Sequence, residues 1–187
     1  MRQSYSRDVA DPMTLQPWEL LDVGACVVFL TRNRAHLAPW EPRHEDAYYT
    51  EPYQVELQRR VGEERAERRG FAYAVFVDGT LAGRVALSDV VPGAFRSAHL
   101  GYFTDGSMCG RGIATGAVSQ LLRLAFGELE LHRVQAAVIP RNEASLRVLA
   151  KCGFQRIGLS ARYLCIDGRW QDHVLFAITS EDVNGDR

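Results

Sequence analysis

The residues with the clearest chemical potential sit in mid-chain. Leu100-Gly101-Tyr102-Phe103-Thr104 reads as a strand, and Asp105-Gly106-Ser107-Met108 leads out of it. Cys109-Gly110-Arg111-Gly112-Ile113-Ala114-Thr115 then forms a glycine-rich turn that opens a helix. A helix start leaves its first backbone N–H groups without intrahelical partners, and the aligned peptide dipoles place about half a positive charge there. Glycine removes the Cβ atoms that keep an anion away from those groups. The segment therefore predicts a phosphate-cradling site.

Known phosphate turns narrow the choice. A P-loop needs G-x-x-x-x-G-K-[ST], whose lysine neutralises the terminal phosphates, and the chain has no Gly-Lys-Ser or Gly-Lys-Thr. A dinucleotide fold needs G-x-G-x-x-G and an acid about 20 residues later. Gly110, Gly112 and Gly116 give only G-x-G-x-x-x-G, with Glu128 or Glu130 in the place of the acid. The turn here also follows predicted antiparallel hairpins rather than a βαβ array. A pyrophosphate turn of the form x-x-x-G-x-A fits best, filled by Cys109 to Ala114.

The elements that must position this turn follow from periodicity. Met13 to Gln16 reads as a first strand. Trp18 to about Arg32 reads as a helix with Leu20, Val23, Val27 and Leu30 on one face. Two prolines interrupt the connection Ala35 to Tyr49 at Pro39 and Pro42. A second helix covers Glu51 to Glu67, with Tyr53, Leu57 and Val61 as its stripe. The mixed charges of residues 63–69 read as a solvated face. Phe71 to Val77 and Leu81 to Ser88 form a hairpin about Asp78-Gly79. Ser97 to Phe103 is the next strand, and a helix from about Gly112 to Leu129 follows. Arg133 to Ile139 is a strand, and Asn142 caps a helix from Glu143 to Lys151. The strands Phe154 to Leu164 and Trp170 to Thr179 close the chain around Ile166-Asp167-Gly168-Arg169. The expected fold is a mixed α/β (α+β) domain, a mostly antiparallel mixed sheet flanked by helices. The expected boundaries are a polar segment 1–12, one domain 13–180 and a polar tail 181–187.

Composition bounds the function. The chain has 187 residues, 47% hydrophobic, with 22 basic and 23 acidic residues for a net charge of -1. That balance argues against nucleic-acid binding through bulk charge. The sequence offers neither an apolar run of about 18 residues nor the apolar core of a signal peptide, so a cytoplasmic protein without membrane attachment is expected. Cys26, Cys109, Cys152 and Cys165 form no C-x-x-C pair and the five histidines are scattered, so free thiols and no metal site are expected.

The pyrophosphate turn and the element order together resemble the GNAT superfamily of acetyl-CoA-dependent N-acetyltransferases. Further segments are similar to its branch of ribosomal-protein alanine and serine N-terminal acetyltransferases, the RimJ type more than the RimL type. They are His36-Leu37-Ala38-Pro39-Trp40-Glu41-Pro42, Leu100-Gly101-Tyr102, Leu131-His132-Arg133-Val134, Asn142-x-x-Ser145, Gly153-Phe154 and Tyr163-x-x-Ile166-Asp167-Gly168-x-Trp170-x-Asp172-His173. The resemblance runs from about Met13 to Thr179.

It implies direct acetyl transfer from coenzyme A to an amine, with no metal. The acceptor is first a protein N-terminus, such as a ribosomal protein beginning with Ala or Ser. A small amine (antibiotic or polyamine) is the second reading, and a non-catalytic acyl-CoA-binding regulatory module the third. The pyrophosphate falls to the amides of Cys109, Gly110, Arg111, Gly112, Ile113 and Ala114, with Thr115 beside them. The oxyanion falls to backbone N–H groups of Tyr102, Phe103 and Thr104. Asn142, Ser145, Arg147 and Lys151 flank the cofactor. Ser145 is the implied proton source for the departing thiolate, with Tyr163 second. His99 leads as base, followed by Glu41 and His44. Trp40, Glu41, His44 and Tyr102 face the acceptor, while Trp170 reads as a core aromatic. Two departures stand out: Cys109 occupies a place usually held by Gln or Arg, and Leu164 stands where RimL-type enzymes carry a glutamate. Oligomeric state stays open, a homodimer included.

Overall fold

The computed structural model describes residues 13–184. Seven strands form one sheet in the order β1-β2-β3-β4-β5-β7-β6. They are β1 (Met13–Pro17), β2 (Phe71–Val77), β3 (Thr80–Val91), β4 (Ser97–Thr104), β5 (Arg133–Val138), β6 (Gln155–Ile166) and β7 (Arg169–Thr179). Every pairing is antiparallel except β4 with β5. The β2–β3 hairpin turns at Asp78 and Gly79, both at positive φ (48° and 73°), the geometry that matches strand twist.

Helices cover both faces. Helices α3 (Ile113–Phe126) and α4 (Glu143–Lys151) pack on one, where Val75, Val85, Leu87 and Leu100 meet Val118 and Leu121. Helices α1 (Val23–Leu37) and α2 (Glu51–Ala66) share the other with Ala72, Ala74 and Ala86. The small alanines on that side leave room for Trp18 and Phe29, each 2% exposed. A short helix α5 (Ser180–Asn184) follows β7, and Asp182 Oδ2 accepts from Thr179 N at 3.0 Å. The expected polar tail therefore begins as helix.

Two helices differ from expectation in their buried faces. The first was expected from Trp18. Instead Trp18–Leu20 is a 3₁₀ turn, and α1 starts at Val23 because Asp22 caps it, accepting from Ala25 N at 2.8 Å. The rotation buries Cys26, Phe29, Leu30, Asn33 and Leu37, and leaves Leu20 67% exposed. On α2 the buried residues are Gln54, Gln58 and Val61, while Tyr53 is exposed. The two glutamines satisfy backbone carbonyls: Gln58 Nε2 donates to Leu21 O at 2.9 Å, and Gln54 Nε2 to Tyr48 O at 2.6 Å. Apolar periodicity is blind to a polar residue buried to serve a loop.

Candidate active site

The site grows out of the one parallel pairing. β4 and β5 share only three registers, Ser97 with Arg133, Ala98 with Val134 and His99 with Gln135. Beyond His99 the strands part, while β5 stays paired with β7 through Val138. Asp105 N donates across to Ala82 O of β3 at 2.8 Å. Amides alternate along an extended strand. Tyr102 and Thr104 therefore present their N–H groups away from β3, into the wedge that β5 has left.

The glycine turn lies beside this wedge. Gly110 and Gly112 have φ of 79° and 78°, a region that strains any residue bearing a Cβ, and a Cβ on either would stand in open space. The first bond of α3 runs from Gly116 N to Gly112 O at 3.0 Å. The amides of Ile113, Ala114 and Thr115 thus have no partner within the helix. A cleft of about 530 Å³ lies over them, lined also by Tyr102, Phe103, Thr104, Cys109, Asn142 and Ser145, with Arg147 and Lys151 at its edge. The shape and the donors suit a diphosphate-bearing chain. Exposed Cys109 stands in the same cleft, with Sγ 3.7 Å from His36 Nε2.

A second cleft of about 230 Å³ occupies the wedge itself, between Leu100–Phe103 and Ala136–Ile139. Trp40, Tyr102, Phe103, Asn142 and Ser145 line both clefts. At this junction the Tyr102 hydroxyl lies 2.7 Å from Ser145 Oγ. Ser145 is set by the helix cap, its N donating to Asn142 Oδ1 at 3.1 Å. Burial pushes the Tyr102 phenol up to about 12, with the Ser145 hydrogen bond acting the other way. It stays protonated at neutral pH.

The smaller cleft holds one carboxylate and one guanidinium, Glu41 and Arg84, together with His173. Burial pushes Glu41 up to about 7, against the pull of Arg84. His44 Nε2 lies 3.8 Å from Glu41 Oε2, and burial holds that imidazole below the usual histidine range. The loop carrying Glu41 is pinned from two sides. Asp167 N donates to Glu41 O at 3.2 Å. Arg141 donates to Pro39 O at 3.2 Å and lies 4.8 Å over the Trp40 ring.

The structure thus brings together most of the residues singled out from sequence: the turn from Cys109 to Thr115, Tyr102 to Thr104, Asn142, Ser145, Lys151, Trp40, Glu41 and, beside Glu41, His44. It leaves two apart. His99 lines neither cleft and sits on the part of β4 still paired with β5. Tyr163 also lines neither cleft. Its ring is 5.5 Å from that of His173, at a bulge in β6. Trp170, expected in the core, is 67% exposed near the β6–β7 tip. Sequence reading missed Arg84, His173 and the Tyr102 hydroxyl, because only the folded register places them here.

One buried carboxylate fixes the approach to the glycine turn. Asp105 is 2% exposed. It pairs with Arg32 and accepts from Asn33 Nδ2 at 3.2 Å and Ser107 N at 2.8 Å. Asn33 Oδ1 in turn accepts from Gly106 N at 2.9 Å. Hydrogen bonds from Ser107, Asn33 and Arg32 outweigh burial and hold Asp105 down at about 2.

Comparison with known proteins agrees with this geometry. The model of the acetyltransferase (GNAT) domain family matches residues 13–155. A probable N-acetyltransferase of Bacillus subtilis, YjcK, is 36% identical over 90% of this chain and 94% of its own. The [ribosomal protein uS5]-alanine N-acetyltransferase of Escherichia coli is 33% identical over 88% and 83%. The structure of Mycobacterium smegmatis RimJ in complex with CoA-disulfide superposes with a TM-score of 0.88 at 34% identity, over 91% of this chain and 83% of that one.

Asp105→Asn is expected to destabilise the fold by about 2 kcal/mol at pH 7, since each pKa unit is worth about 1.4 kcal/mol. The folded pKa lies below the ordinary value, so the stabilisation is present above pH ~4 and lost as pH falls towards 2. Urea midpoints of the two proteins should converge over that window. A constant gap down to pH 2 would refute the role.

Proposed function

This chain belongs to the GNAT acetyltransferase family, and from that premise we propose that it moves the acetyl group of acetyl-CoA to the α-amine of a protein N-terminus. A ribosomal protein beginning with Ala or Ser is the first choice of acceptor. The observation that carries this reading is the meeting of two clefts at the Tyr102–Ser145 hydroxyl pair. One cleft is suited to a diphosphate and the other to an amine. The acceptor class is supported by the E. coli relative, named for the alanine of ribosomal protein uS5. Among the described residues no helix is long and apolar enough to cross a membrane.

Acetyl-CoA supplies an activated thioester. The protein residues hold it and move protons around it. The free amides of Ile113, Ala114 and Thr115 take the pyrophosphate, with Arg147 and Lys151 on the adenosine side. The N–H groups of Tyr102 and Thr104 point to where an oxyanion develops. The hydroxyl pair keeps a proton at the junction, with Ser145 Oγ donating and Tyr102 replenishing it. Glu41 takes the proton of the attacking amine. A base whose pKa lies near the working pH is well matched to that task, and an α-amine with a reference pKa of about 7.7–8.0 needs only modest help. Glu41 replaces His99 as the first choice of base, because it lines the acceptor-side cleft and His99 does not.

The polyamine reading is weaker here. A cleft holding Arg84 repels a second cationic centre, and Glu41 is the acidic residue lining it. The regulatory-module reading drew on the lack of an evident base, which Glu41 now supplies.

Three expected outcomes follow from these roles. Gly112→Val abolishes acetyl-CoA binding by calorimetry, because a branched side chain at positive φ strains the turn and fills the cradle. Wild-type affinity in that variant refutes the cradle. Ser145→Ala lowers kcat by about 10²-fold, the lower range of proton-transfer help, with cofactor affinity little changed. An unchanged kcat with chemistry rate-limiting shifts the role to Tyr102. For an Ala-initiated peptide, kcat/KM rises through pH ~7 as Glu41 ionises. Glu41→Gln removes that limb in a thiol-release assay and leaves the titration of the amine itself. A limb that persists unchanged assigns the base elsewhere.

A further inference from the structure

Arg84 is an oddity of the acceptor-side cleft. It stands on β3, opposite Phe103 of β4. The neighbouring Gly83 fixes that register, since a Cβ there would lie 2.5 Å from Phe103 O. The side chain is carried over the buried Trp18, with Cζ 5.3 Å from the ring centroid. Three other arginines are tied down. Arg32 is held by Asp105, Arg65 by Glu19 and Ala72 O, and Arg141 by Pro39 O. Among the described residues the Arg84 guanidinium makes no hydrogen bond or ion pair. Glu41 and Tyr48 act on it only through space. A half-buried guanidinium with no hydrogen-bond partner is costly, and its planar donor fork is best matched by an oxygen to which it can donate.

We propose that Arg84 anchors the acceptor: its N–H groups hold the carbonyl oxygen of the acceptor's first residue while Glu41 faces the α-nitrogen. This rests on the α-amine reading above. An N-terminal residue presents an amine and a carbonyl oxygen two bonds beyond its Cα, the pair of groups that one carboxylate and one guanidinium recognise. A polyamine presents a second cation in place of that oxygen. The same arginine therefore selects peptide N-termini and rejects polycations, which makes it the specificity determinant of the cleft.

The test compares wild type, Arg84→Gln and Arg84→Lys on an Ala-initiated peptide, alaninamide, propylamine and spermidine. In Arg84→Gln the KM for peptide is expected to rise about tenfold to hundredfold, the scale of one charge-assisted hydrogen bond. The kcat stays within about threefold and acetyl-CoA affinity is unchanged. The preference for alaninamide over propylamine collapses by the same factor, and Arg84→Lys recovers part of it. An equal loss on alaninamide and propylamine overturns the proposal. With the acidic limb of the pH profile displaced, it means that Arg84 acts only through its electrostatic coupling to Tyr48, Glu41, Cys26 and Glu64. A fall in thermal midpoint together with lost acetyl-CoA affinity in both variants also overturns it, as the mark of a scaffold residue. Wild-type turnover of spermidine without turnover of peptide or alaninamide sinks the α-amine reading itself, whatever the variants do.

Discussion

The site depends on the brevity of one ladder. β4 and β5 hold parallel register for three residues and then diverge. Past His99 each presents a strand edge whose N–H and C=O groups face a gap. Such edges are costly when buried unless something pairs with them. The sheet tolerates the gap because β5 keeps its other edge on β7, and β4 keeps its own on β3. The wedge turns the sheet from a barrier into a passage. One mouth is bounded by α3 and α4, and the other by the Glu41 connection and Arg84. In the proposed reaction, cofactor and acceptor reach one junction from opposite clefts.

A passage of this kind must be held at fixed width, and α1 does much of that. Arg32 and Asn33 on its third turn secure Asp105, whose turn leads to the glycine cradle. Its C-terminus runs straight into Pro39-Trp40-Glu41, the wall of the acceptor-side cleft. One helix thus spaces cofactor turn and acceptor wall. Arg141 ties the same loop to the end of β5 through Pro39 O and Trp40. Exposed ion pairs are worth little one at a time. The buried Asp105, with several donors converging on it, contributes the larger share of this rigidity.

What could be read from sequence was local. The Asp78-Gly79 turn, the Asn142 cap and the glycine turn each declare themselves within a few residues, and each stands where expected. The apolar face of α3 was legible because Val118, Leu121, Leu122 and Ala125 are buried and hydrophobic at helical spacing. The faces of α1 and α2 were not. Their buried sets include Asn33, Gln54 and Gln58, chosen for the loops and turns they bond. Chemistry that joins distant strands was equally hidden. Nothing in the sequence brings Arg84 to Glu41, or the Tyr102 hydroxyl to Ser145 Oγ. Conversely, His99 attracted attention by its place beside Leu100-Gly101-Tyr102, yet it sits where the ladder is still closed.

Magnitudes explain why this arrangement accommodates unusual residues at two places. Holding two reactants in line removes about 7–11 kcal/mol of barrier. A placed acid or base removes about 3–5 kcal/mol, as 10²–10⁴-fold in rate. In the proposed mechanism backbone does most of the holding: two positive-φ glycines, the first amides of α3 and the free edge of β4. These groups persist whatever side chain stands at position 109, so a cysteine is acceptable there. The base contributes the smaller term to an amine already partly neutral. In the proposed mechanism it need not come from β6, because the Glu41 carboxylate on the Pro39–Pro42 connection serves with leucine at 164. The proposed reaction therefore depends more on the backbone geometry of the cradle than on which element supplies the proton acceptor.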